Sequence, residues 1–62
     1  MKTLSLQKDG EYILLIRHGE GVHAIKREPF SREKVLSLSV TEARKLLEQY
    51  SIVSGDSNTF FK

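Results

Sequence analysis

The sequence predicts an α+β domain spanning residues 1–62, in which a four-stranded antiparallel sheet is followed by one C-terminal helix, in the order ββββα. Three observations carry that reading. Thr3 to Gln7 and Lys34 to Leu38 alternate polar and apolar residues with the two-residue period of half-buried strands. Tyr12 to Ile16 is an unbroken apolar run, rich in strand-favouring types and too short for a helix of its own. Ser39-Val40-Thr41-Glu42 has the spacing of a capping box, in which the serine side chain takes the glutamate amide and the glutamate reaches back.

Each element follows in order. A first strand over 3–7 is closed by Lys8-Asp9-Gly10, an Asp-Gly hairpin signal, and leads into a second strand over 11–18. Gly19-Glu20-Gly21 supplies a turn, and Val22 to Glu28 forms a third, more polar strand. Pro29 cannot donate to a ladder, so 29–33 is a loop before the fourth strand over 34–38. Val40, Ala43, Leu46, Leu47 and Tyr50 then fall on one stripe of a helix over 40–51. That helix ends before Ser54-Gly55-Asp56-Ser57-Asn58. In the tail over 54–62, Phe60 and Phe61 have three possible destinations: the core, a short edge strand, or a partner chain. In the second strand Tyr12, Leu14 and Ile16 face one way and Ile13 and Leu15 the other, so both sheet faces require cover and one helix supplies only one.

Length and composition bound the function. A chain of 62 residues buries only about 60% of its unfolded surface. With no cysteine it has neither disulfides nor thiolate metal sites, which leaves self-association, as a homodimer, as the expected support. No apolar run reaches the roughly 20 residues of a membrane span, and no apolar stretch follows Met1-Lys2-Thr3 as in a secretion signal. The expected location is cytoplasmic or nuclear, away from membranes. A net charge of +2 permits nucleic-acid binding without dictating it.

Tyr12 to Gly21, with Arg17-His18-Gly19 closing an apolar strand, resembles the histidine phosphatase superfamily. That resemblance implies His18 as phosphate acceptor and Arg17 as phosphate clamp. The family also needs a second histidine on a distant strand, a carboxylate acid and another arginine on a much larger parallel sheet, which this chain does not supply. Arg17 to Glu20 therefore reads as a strand end entering a turn, and no catalytic residue is expected. His18, Glu20 and His23 surround the same turn. A two-residue turn at Glu20-Gly21 sets the histidines opposite each other on one face, and a three-residue turn sets them on opposite faces. Structural metal sites usually take four ligands, so no metal is assigned, and no phosphate-loop or dinucleotide spacing implies a cofactor.

Arg17, His23, Lys26, Arg27, Arg32 and Lys34 cluster between the second and fourth strands, with Tyr12 and Phe30 near them. Cations that track phosphates, combined with aromatic rings that stack on bases, are the composition of a single-stranded nucleic-acid surface. Glu20, Glu28 and Glu33 interleave with these cations, as on an ordinary solvated face. Leu36-Ser37-Leu38-Ser39-Val40-Thr41-Glu42-Ala43-Arg44-Lys45-Leu46-Leu47, after three strands of matching length, resembles the single-stranded-DNA-binding transcriptional coactivators of the positive-cofactor-four type. The resemblance implies a homodimer that binds unpaired DNA along its sheet and acts in transcription regulation. It implicates Arg17, Lys26, Arg27, Arg32 and Lys34. The chain has no tryptophan where that family often carries one, in its third strand and at its helix start. The expected function is non-enzymatic binding of single-stranded or distorted nucleic acid. The alternative is a small protein-binding regulator or inhibitor that uses an exposed sheet face or edge. The positions of Arg17 and Arg27 discriminate, because a place on the helix-covered side speaks against nucleic acid.

Overall fold

The computed structural model describes residues 2–30 and 32–62. Its sheet is antiparallel and α+β in class, as the patterning requires, with one strand and one short helix more than the sequence signals. β1 (Lys2–Lys8), β2 (Glu11–His18), β3 (Gly21–Arg27) and β4 (Lys34–Ser39) form a meander. α1 (Val40–Leu46) follows, then β5 (Ser51–Ser54) and α2 (Ser57–Phe60). The strand order is β4-β3-β2-β1-β5, so the chain leaves one edge of the sheet through α1 and returns at the other.

Turn chemistry sets the registers. Asp9 and Gly10 both have positive φ, at 47° and 83°, the requirement of the two-residue turn whose twist matches a hairpin. It pairs Lys8 with Glu11 and carries Leu4 opposite Leu15 and Leu6 opposite Ile13. The second turn is Gly19-Glu20, one residue earlier than the two-residue turn considered above, and it pairs His18 with Gly21. Consequently β3 starts and ends one residue earlier than the 22–28 expectation.

Leu4, Leu6, Ile13, Leu15, Val22 and Ala24 share one sheet face and are all buried there, joined by Ala43 from α1 and Phe60 from α2. Leu38, Val40, Leu46, Leu47, Tyr50 and Phe61 pack around them, half-buried.

The capping box is present in full. The Glu42 amide donates to Ser39 Oγ at 3.1 Å, and the Ser39 amide donates to Glu42 Oε1 at 3.2 Å. Ser39→Ala should lower stability by about 1 kcal/mol. For a domain of this size the melting midpoint then falls by roughly 4–8 °C, readable by thermal circular dichroism.

The helix is shorter than the 40–51 expectation. Regular α-helix ends at Leu46, and tighter turns run on to Tyr50. Ser51-Ile52-Val53-Ser54 then takes up a strand against β1, because adjacent β-branched residues suit a pleated edge better than a last helical turn. The tail turns inward: Asp56 caps α2 by accepting the Asn58 amide at 3.0 Å, and Phe60 is buried against β1. Of the three possibilities for the phenylalanines, Phe60 enters the core and Phe61 lies edge-on to it, with the Arg44 guanidinium 5.2 Å from the Phe61 ring centroid. Among the described residues no helix is long and apolar enough to cross a membrane.

Candidate functional site

Alternation along the strands sorts every candidate residue onto a face. Arg17 has the parity of Leu15 and pairs with Val22, so it lies on the helix-covered face. Its guanidinium is engaged there: Nη1 donates to the main-chain oxygens of Phe60 and Lys62, each at 2.8 Å, and Nε donates to Gly19 O at 2.9 Å. Arginine at this strand end thus binds the carbonyl end of α2, where a positive charge and a rigid fork of donors suit unpaired carbonyls.

Lys26 lies on the same face. Its ammonium is 3.1 Å from Glu28 Oε1 and 4.0 Å from Glu11 Oε2. The Glu28 hydrogen bond, reinforced by the charge on Glu11, raises the Lys26 pKa above the ordinary lysine value. Glu11 also accepts the Tyr50 hydroxyl at 2.8 Å, and Lys8 lies 5.6 Å from the Tyr50 ring centroid. Partial burial, followed by the Glu11 contact, raises the Tyr50 pKa. The neutral phenol is therefore favoured by folding, and stability should fall as pH rises through the unfolded tyrosine value of about 10 toward the higher folded value. Tyr50→Phe should flatten that alkaline slope in denaturant titrations at successive pH values.

Lys34 pairs with Lys26 and is exposed at the end of β4. The helix-covered face thus takes Arg17, Lys26 and Lys34, and the open face takes Tyr12, His23 and Arg27. Tyr12 and Arg27 stand directly opposite each other. Arg27 is ion-paired with Glu33 across the β3–β4 loop, and the Tyr12 hydroxyl accepts a bond from Gln7 Nε2 at 3.3 Å. His23 is at the other end of the strand, its ring centroid 4.9 Å from that of His18 and tilted by 48°. Arg17 and His18, adjacent in the phosphatase-like segment, point to opposite faces. No group of three or more metal-ligating side chains occurs among the described residues. Phe30 and Arg32 are exposed in the β3–β4 loop, Phe30 fully so and at a positive φ of 63°.

The open face has a second population that the charge pattern does not signal. Tyr12 (51% exposed), Leu14 (36%) and Val35 (69%) lie there with the half-buried Ile16 and Ile25. Tyr12, Leu14, Ile25, Arg27 and Glu33 line a shallow concavity of about 550 Å³. The sequence signal for this surface is the even-numbered half of the Tyr12–Ile16 run. Comparison of the chain with protein-family models, with curated proteins and with solved structures finds no match.

Proposed function

We propose that the chain is a non-catalytic binding module whose working surface is the open face of the sheet, and that it takes a protein segment carrying apolar anchor side chains. The observation that carries this reading is the apolar concavity around Leu14 and Ile25, flanked at its rim by the Arg27–Glu33 ion pair. A hydrophobic centre with a charged, self-neutralised rim suits a protein surface better than a polyphosphate, which requires unpaired cations in a row. Arg17 and Lys26 are engaged by main-chain oxygens and carboxylates on the other side.

Selection of binders from a random peptide library tests it. Selected peptides should carry apolar anchors. Leu14→Asp should weaken them at least about tenfold, the scale of one lost buried aliphatic contact, while Lys45→Asp on the helix should leave them unchanged. Peptides insensitive to Leu14→Asp would overturn the reading.

A second reading, homodimeric binding of single-stranded nucleic acid in transcription regulation, is favoured by one observation. The fully exposed Phe30 ring sits in the same loop as Arg32, beyond the strand end that carries Tyr12 and Arg27. A labelled oligonucleotide titrated at two salt concentrations separates the two readings. Micromolar binding that weakens steeply with salt and is lost in Phe30→Ala supports nucleic acid.

A further inference from the structure

β4, like β5 at the other edge, carries exposed apolar residues. Val35 on the open face is 69% exposed, and Leu36 on the helix-covered face is 45% exposed. Its inner side pairs with β3 without a break from Gly21↔Ser39 to Lys26↔Lys34, and among the described residues nothing pairs with its outer side. Proteins usually protect such an edge with a proline, a bulge, a short strand or several charges. β5, at the opposite edge, has two of these, being four residues long with a register shift against β1. β4 is six residues long with a single charge, Lys34, at its end.

We infer that β4 is the interface with a second copy of this chain, the two β4 strands pairing antiparallel about a two-fold axis perpendicular to the sheet to make one ten-stranded sheet. Self-complementarity identifies the occupant. In an antiparallel pair, residues directly opposite each other lie on the same face. Two-fold symmetry therefore permits registers centred on Leu36 or on Ser37. In the first, Leu36 meets its own copy; in the second, it meets Leu38 of the other chain. Either way the exposed leucine gains an aliphatic neighbour on the helix-covered face. The charges also agree. Both registers carry Lys34 of one copy to the β4–α1 junction of the other, where Glu42 is held at the Ser39 amide. Each copy thus offers one cation and receives one, as a closed isologous contact requires. The inference does not depend on what the open face binds, since edge pairing leaves that face free and doubles its length.

A paired edge about 20 Å long lies at the small end of specific interfaces, so a dissociation constant on the order of 10–100 μM is expected. Sedimentation equilibrium of the intact chain up to about 0.5 mM should show a monomer–dimer equilibrium in that range. Leu36→Lys should raise the dissociation constant at least about tenfold with an unchanged circular dichroism spectrum, while Leu14→Asp should leave it unchanged. The absence of native cysteine permits a second measurement independent of the first. Leu36→Cys or Ser37→Cys, whichever lies on the two-fold axis, should form an intermolecular disulfide under mild oxidation, and Val53→Cys on β5 should not. A chain monomeric at 0.5 mM overturns the inference. So does a dimer dissociated by Leu14→Asp rather than Leu36→Lys, or cross-linking at position 53 in place of 36 and 37.

Discussion

Phe60→Ala should cost about 3–5 kcal/mol, the range for truncating a fully buried phenylalanine. A chain of 62 residues has only about 3–9 kcal/mol in total at ordinary stability per residue. The variant should therefore be largely unfolded in mild denaturant, and partly so in buffer at 37 °C. The physical reason is position as well as size. Among the described residues, Phe60 is the largest side chain in a core of eight buried residues, two of which are alanines. It packs with α2 over β1 and belongs to the same core cluster as Leu4 and Leu6. Removing it also loosens the two carbonyls that Arg17 Nη1 holds, because they belong to the segment Phe60 anchors. Equilibrium urea unfolding measures the loss. Phe61→Ala, at a half-buried neighbour, should cost clearly less and serves as the comparison.

Gly55→Ala should be the most damaging single-methyl change in the chain. Gly55 has φ of +102°, where an L side chain is strained by about 1–3 kcal/mol. A Cβ there would also lie 2.9 Å from the Thr3 carbonyl oxygen and 3.3 Å from the Leu4 Cα, main-chain atoms that cannot rotate away. β5 must shift off β1 to relieve the contact, so the cost should exceed the conformational part alone and reach about 3 kcal/mol. Gly19→Ala separates the two contributions. Its φ is also positive, at +57°, but nothing lies within 4 Å of the added carbon, so it should show only about 1–2 kcal/mol. Parallel urea titrations of the two variants should differ accordingly, and equal losses would mean that close packing against Thr3 is unimportant.

The meander and the helix start are legible because each rests on a strong local rule. Asp9-Gly10 sets the first hairpin, the short Tyr12–Ile16 run of strand-favouring residues reads as a central strand, and Ser39 with Glu42 marks the first helical turn. β5 and α2 are not legible, because their stabilisation is tertiary. Ile52 and Val53 become a strand only because β1 offers an unpaired edge, and Phe60 is drawn into a helical turn by the space above Leu4 and Leu6 rather than by propensity. The candidate site shows the same limit. Cations that neighbour one another in sequence are parted by the two-residue period, Lys26 going to one face and Arg27 to the other. Which of them shares a face with Arg17 depends on a turn whose three residues, Gly19, Glu20 and Gly21, permit several registers. That both faces require cover is readable from β2 alone, and this pointed to the apolar open surface better than the charge pattern did.

Placing β5 beside β1 joins the two ends of the chain, and this has a kinetic consequence. The β1–β2, β2–β3 and β3–β4 ladders join sequence neighbours through two tight turns and the 28–33 loop, so their contacts close short loops and can form early. The β1–β5 ladder and the seat of Phe60 close nearly the whole chain and must wait for the rest. The C-terminal segment should accordingly be the last part to assemble and the first to open. Amide exchange in β5 and α2 should proceed through a sub-global opening that leaves β2 and β3 protected and briefly bares Leu4 and Leu6 to water.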